Sequence, residues 1–369
     1  MLADVKAVEK YMPNQPSAPD PAVAVAATFT MEPLVPPLHL MLQEAGLVRD
    51  VICAPYGQVF QELLSGGSLL ATNAGGTNIV LIRMEDFVRE LSDLTEARDL
   101  IRRTARELSD ALGQHARRAR SPTVLGVLAP SPRATSELRA DLDAAAASLT
   151  ELALTLPGIY LLGADDIDGV CDGERYDPLR DELAHIPFTD EFYASMAIAI
   201  ARKVHALEVP AHKVLVLDCD NTLWGGVIGE DGIAGIALTQ GFLGLQRYAI
   251  AQQEKGILIC LASKNAERDV LDVFEQRPDM ELKSENIISY RIDWKPKSDN
   301  ISSLARELNL GLDSFVFIDD NPIECAQLRA TLPQVVTLQL PPENQIERFL
   351  AHLWVFDKLA VTRIGRAHV

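Results

Sequence analysis

The stretch "VLVLDCDNTLWGG" (residues 214–226) decides how the chain reads. Val214 to Leu217 form a short apolar run that stops at Asp218, Cys219 and Asp220. A run of this length, bounded by polar residues, reads as a buried strand. Two later runs stop in the same way: "ILICLAS" ends at Ser263, and "SFVFIDD" ends at Asp319 and Asp320. In a parallel α/β sheet the carboxyl ends of the strands share one edge, where sites collect. Three strands therefore bring carboxylates and a hydroxyl to one place. The segment "DWKPKSDN" adds Lys295 and Lys297 just before a helical pattern, where a cation can meet an anion held at the helix start.

Phosphoryl transfer requires this mixture of groups. One carboxylate can attack phosphorus and carry an aspartyl phosphate. A second can protonate the leaving oxygen and then take a proton from water. Clustered carboxylates repel one another, so a hard cation is needed to hold them, and an all-oxygen ligand set favours Mg²⁺. A hydroxyl and a lysine stabilise charge on the phosphoryl oxygens.

The rest of the chain supplies the setting. At 369 residues it exceeds one ordinary core and suggests two domains. The formal charge of −18 makes a broad nucleic-acid-binding face improbable, so no nucleic-acid partner is expected. Five cysteines (Cys53, Cys171, Cys219, Cys260, Cys325) are scattered without a Cys-x-x-Cys pair, which fits a reducing cytoplasm. No run suggests a signal core or a membrane span, and a cytoplasmic chain without a membrane partner is expected. The sequence does not fix the oligomeric state.

Residues 1–22 read as a proline-containing leader. Residues 23–190 alternate strand-like runs ("AVAVAATFT", "DVICAPY", "NIVLIRM", "TVLGVLA", "GIYLLGA") with helical stretches, one of them expected to begin near Glu85. This implies a first α/β domain with a parallel sheet. A helical bridge is expected over 191–210, a second α/β domain over 211–342, and a C-terminal helix over 343–369. Between Thr222 and the strand before Ser263 there is room for a hairpin-like flap and one helix, but not for a large cap. Gly225 and Gly226 open that flap, where glycine permits close approach or positive φ.

The four segments "DCDNT", "CLASKN", "WKPKS" and "FIDDNP" resemble, in order, the four motifs of the haloacid dehalogenase superfamily. The longer stretch "VLDCDNTLWGGVIGEDG" is similar to its FkbH-like glyceryl transferase/phosphatases, and weaker similarity runs over the first domain. The resemblance implies an N-terminal SGNH-hydrolase-like α/β domain, a C-terminal Rossmannoid sheet without a large cap, and Mg²⁺ as cofactor. It implies Asp218 as nucleophile and Asp220 as acid/base, with Asp218, Asp220, Asp319 and Asp320 at the metal. Asp220 would contribute its backbone carbonyl. Thr222, Ser263, Lys264 and Asn265 would bind phosphate or substrate, and Trp224 would either wall off the substrate or simply pack in the flap. Lys295 is favoured as the motif lysine because Lys-Pro is the commoner form, with Lys297 the alternative. Arg291 would meet a second phosphate or form a surface ion pair.

Family chemistry would further imply that 1,3-bisphosphoglycerate is dephosphorylated and its glyceryl unit passed through a Cys219 thioester to an acyl carrier protein in polyketide or tetronate biosynthesis. The alternative is a stand-alone phosphatase of a small phosphorylated metabolite. If the strand ran straight through residues 218–220, alternation would turn the Cys219 thiol away from both acids. In the first domain "ATFTMEP" occupies the place of the Gly-Asp-Ser nucleophile of SGNH hydrolases, so hydrolysis there is not expected, and His185 reads as structural or interdomain.

Overall fold

The computed structural model describes residues 21–171 and 173–357. Most of the expected leader and the end of the expected C-terminal helix lie outside these residues. Contacts divide the chain into two compact units, with the boundary between Glu208 and Val209.

In the first unit the five strand-like runs become β1 (Ala22–Ala27), β2 (Asp50–Cys53), β3 (Thr77–Arg83), β4 (Thr123–Leu128) and β5 (Ile159–Leu162). They form one parallel sheet in the order β2-β1-β3-β4-β5. β1 and β3 are buried along their whole length, as expected of central strands covered on both faces. The helix expected from Glu85 instead starts at Leu94. Asp93 caps it by accepting the Thr95 and Glu96 N–H groups, and such a cap outweighs the helical charge pattern upstream. The stretch read as a bridge is the helix Asp190–Glu208, which packs on the helix Val35–Glu44 and is an integral layer of this unit.

The second unit contains β6 (Val214–Leu217), β7 (Leu258–Ser263), β8 (Ile287–Ile292), β9 (Phe315–Asp319) and β10 (Val336–Gln339). All five are parallel, in the order β10-β9-β6-β7-β8. The chain leaves β6 toward β7 and leaves the adjacent β9 toward β10, in opposite directions across the sheet, so the β6/β9 boundary is the switch point where α/β sheets open a crevice. Alternation along β6 divides the core. Val214 and Val216 pack with Phe315, Phe317, Ile301 and Leu304 on one face, while Leu215 and Leu217 pack with Leu245, Ala249 and Val316 on the other.

Leaving β6, the chain turns through Asn221, which adopts the left-handed region at φ 50°. The flap that follows is closed by paired backbone bonds between Gly225 and Ala237. Between them lies the helix Ile228–Gly235, kinked at Gly232. Gly226, at φ 98°, permits the turn into it. Among the described residues of the expected C-terminal helix, the α-helical part is Ile346–Ala351. Its buried Ile346 faces the helix Gln240–Glu254, and Leu353, Val355 and Phe356 then enter the core as non-helical chain. Among the described residues no helix is long and apolar enough to cross a membrane.

Candidate active site

At the carboxyl edge of the second sheet, a pocket of about 190 Å³ is lined by residues from each strand end the sequence singled out. Asp218 follows β6, Ser263 ends β7, Lys297 begins the helix after β8, and Asp320 follows β9. Asp218, Asp319 and Asp320 each offer an oxygen within 4.8 Å of the others.

Lys297 is the cation of this site. Its Nζ lies 2.5 Å from Asp218 Oδ1, 2.9 Å from Asp319 Oδ2 and 3.2 Å from Glu324 Oε2, and its side chain is 4 % exposed. The preference for Lys295 is therefore corrected. Lys295 lies outside the pocket with its side chain 70 % exposed and pairs with Asp293. Helix geometry decides this: Pro296 is the N-cap and Lys297 the first helical residue, so Lys297 enters the sheet edge while Lys295 stays in the preceding loop.

The electrostatics follow from burial. Burial raises the pKa of Asp218 despite the adjacent ammonium. Burial and then the charge of Asp218 push Asp319 up to about 7 and Asp320 up to about 6. Burial opposes the charge on Lys297, but Asp218, Asp319 and Glu324 together keep the ammonium protonated beyond its ordinary range. Burial likewise opposes ionisation of Glu324, but Lys297 and Lys264 hold it below its usual value.

Asp220 lies beside this cluster and accepts three hydrogen bonds. Trp224 Nε1 and the Ile228 N–H reach Oδ1 at 3.0 and 3.1 Å, and Asn265 Nδ2 reaches Oδ2 at 3.0 Å. Its carboxylate is not part of the three-acid group. Asn265 also donates to Ser263 Oγ at 3.1 Å, which ties the acid to the hydroxyl. Lys264 lines the pocket and pairs with Glu324 at 2.8 Å.

Three sequence expectations change. Thr222 is fully buried and accepts the Asp320 N–H at 3.3 Å, so it braces the loop after β9 and does not line the pocket. Trp224 is fully buried beneath Asp220 and walls off nothing. Cys219 is fully buried and packs with Leu215, Leu217 and Trp224. Burial and then the Asp218 charge raise its thiol pKa well above the ordinary value. The chain does turn, but only after Cys219 has followed the alternation of β6 into the core. Such a thiol is neither accessible nor ionised, and nucleophilic cysteines need both properties.

Glu324, Asn221 and Asn321 line the pocket without having been singled out. The available signal was position: Asn321 caps the helix Pro322–Thr331 directly after the β9 acids, and first-turn residues of that helix return to the same edge. Arg291 pairs with Glu307 and bonds Ser303 and Ser289, away from the pocket.

In the first unit, Thr28 and Thr30 follow β1. The Thr28 hydroxyl donates to Asp86, and the Thr30 hydroxyl donates to the Ala184 carbonyl. His185 ends the helix Pro178–Ala184 in the left-handed region and stacks on Tyr56. Its carbonyl accepts the Thr30 N–H. These contacts are structural.

Fold and site together define an α/β protein whose second parallel sheet carries a lysine-braced aspartate centre at its switch point. The chain is similar in fold to the N-terminal part of protein BF1531 from Bacteroides fragilis, containing a phosphatase domain complexed with Mg. That likeness has a TM-score of 0.73 at 22% identity and covers 92% of this chain and 94% of the other. An uncharacterised Corynebacterium glutamicum protein matches at 11% identity over 41% of this chain and all 100% of its own, with a TM-score of 0.28 too low to bear on the fold. No protein-family profile matches the chain, and no curated protein matches it by sequence.

Proposed function

We infer that the second unit is a Mg²⁺-dependent phosphatase of the haloacid dehalogenase type acting on a phosphomonoester. The observation that carries this is the convergence of Asp218, Asp319 and Asp320 within 4.8 Å, braced by Lys297. The Mg-complexed phosphatase domain of the Bacteroides fragilis protein supports it. The donor set is all carboxylate oxygen, which suits a hard divalent cation, and such an ion would neutralise charge on the phosphoryl group.

Asp218 attacks phosphorus, forming an aspartyl phosphate as the ester P–O bond breaks, while Asp220 delivers a proton to the leaving oxygen. Water then attacks the aspartyl phosphate. Asp220 takes the water's proton, and phosphate leaves with Asp218 restored. Lys297 and Ser263 stabilise the phosphoryl oxygens throughout.

The resemblance also implied glyceryl transfer from 1,3-bisphosphoglycerate to an acyl carrier protein. The buried Cys219 argues against an enzyme thioester, and the geometry favours the phosphatase alternative. Incubation with 1,3-bisphosphoglycerate and Mg²⁺, followed by intact-mass measurement, tests the choice. Phosphate release without a glyceryl adduct, within about twofold of wild type in Cys219→Ala, is expected. An adduct that vanishes in Cys219→Ala would restore the thioester route.

The raised acids predict a pH-dependent response to metal. Unfolded aspartate titrates near about 3.9, whereas folded Asp319 and Asp320 titrate at about 7 and about 6. The metal-free folded chain thus holds protons that the unfolded chain has shed, and its stability falls as pH rises through this window. Metal binding needs the ionised forms. Mg²⁺ should therefore raise the melting temperature by several degrees more at about pH 8 than at about pH 5.5. Equal gains at both pH values in thermal melts would contradict the assignment of these two acids to the metal.

A further inference from the structure

A buried indole N–H must find an acceptor, because an unpaired donor in a core carries its full desolvation cost. Trp224 is completely buried and sits edge-on to Phe274, and its Nε1–H donates to Asp220 Oδ1. The same oxygen accepts the Ile228 N–H from the start of the flap helix. A carboxylate oxygen offers about two lone-pair sites, so Oδ1 is filled by donors from the core and the flap. Oδ2 accepts from Asn265, a pocket-lining residue, and retains a second lone-pair site.

We propose that Trp224 is a positioning residue that seals Asp220 Oδ1 and thereby presents Oδ2 as the oxygen that carries the proton. The inference rests on the phosphatase reading and specifies the atom through which its acid/base works. In the first half-reaction the Oδ2–H bond breaks as the proton passes to the leaving ester oxygen, whose bond to phosphorus breaks. The charge left on Asp220 is met by the indole, Ile228 and Asn265 donors. In the second half-reaction Oδ2 takes a proton from the attacking water. Without the indole donor Oδ1 has an open lone-pair site, so the inward oxygen competes with Oδ2 for the proton and holds it away from the leaving group.

The test compares kcat/KM for p-nitrophenyl phosphate, whose leaving oxygen departs unprotonated, with that for glycerol 3-phosphate, whose leaving oxygen needs a proton. Trp224→Phe keeps an aromatic ring but loses the donor. It should slow glycerol 3-phosphate hydrolysis about 10–100-fold, within the about 10²–10⁴ that a general acid supplies, and p-nitrophenyl phosphate hydrolysis less than about threefold. Asp220→Asn should show the same selectivity more strongly, and adding Trp224→Phe to it should cost little more. Equal losses on both esters, or losses that add in the double variant, would overturn the proposal.

A measurement that needs no turnover guards against a variant that fails to fold. The Trp224 indole ¹H–¹⁵N resonance, assigned with Trp294→Phe and Trp354→Phe, should exchange slowly with solvent. It should also move most of the three on Asp220→Ala. A Trp224 signal that exchanges like that of exposed Trp294, or that ignores Asp220→Ala, also overturns the proposal. A wild-type protein that hydrolyses neither ester would instead remove the phosphatase reading, while leaving the resonance test of the hydrogen bond intact.

Discussion

Asp218→Asn is expected to reduce phosphatase turnover about 10⁴-fold or more, on the scale seen when a covalent nucleophile is removed. Asparagine keeps the shape of the side chain, but its amide cannot attack phosphorus. The structure also assigns Asp218 to two other tasks, as a partner of Lys297 and as a member of the three-acid group. Stability should change in the opposite direction to activity. Asp218 is buried, and its charge is among the causes that push Asp319 and Asp320 upward. Removing that charge relieves repulsion among the acids, and Lys297 keeps Asp319 and Glu324 as partners, so the metal-free variant should melt no lower than wild type near neutral pH. Rapid quench with a phosphomonoester and Mg²⁺, followed by mass measurement, checks the chemistry. Wild type should carry one phosphoryl group on the peptide containing residues 214–226, and the variant none. A variant that keeps its turnover would remove Asp218 from the role of nucleophile.

Lys297→Met is the second large effect. Methionine retains much of the apolar stem but deletes an ammonium that meets Asp218, Asp319 and Glu324. Removing one donor to a developing phosphoryl charge costs about 10²–10³ in kcat. Breaking a buried ion pair from one side costs about 3–5 kcal/mol, because the remaining charges lose their partner. The carboxylates avoid part of this cost by taking up protons, so the variant's stability deficit should be largest at alkaline pH and shrink on acidification. Activity measured alongside denaturant titrations at two pH values separates the effects. Lys295→Ala is the control, since its exposed pair with Asp293 contributes little. If Lys295→Ala were the damaging substitution, the placement of Lys297 at the site would be wrong.

Both predictions fall on residues whose place was visible in the sequence to different degrees. Asp218, Ser263, Asp319 and Asp320 were legible because each ends an apolar run, and a parallel sheet gathers such ends at one edge whatever the details of packing. Lys297 was legible only as one of two lysines. Choosing between them required knowing where the helix begins, and that boundary depends on one residue of capping. Glu324 was missed because its only mark is a place in the first turn of the helix capped by Asn321; it matters through the two lysines it meets in space.

Cys219 and Trp224 show the limit most directly. In the sequence both lie beside the acids, and proximity along the chain suggested chemistry for each. In three dimensions, the alternation of β6 carries Cys219 into the face lined by Leu215 and Leu217. Trp224 joins the same core and reaches the site's acid through its indole N–H. The sequence by itself determined two parallel α/β sheets and the acids at the edge of the second, because strand periodicity and apolar run lengths are local properties. Tertiary structure alone decided which lysine braces the aspartates, that the thiol is buried, and that a core tryptophan holds the acid. Those outcomes depend on where a helix starts and on the direction each side chain takes from a turning backbone, and spacing along the chain does not specify either.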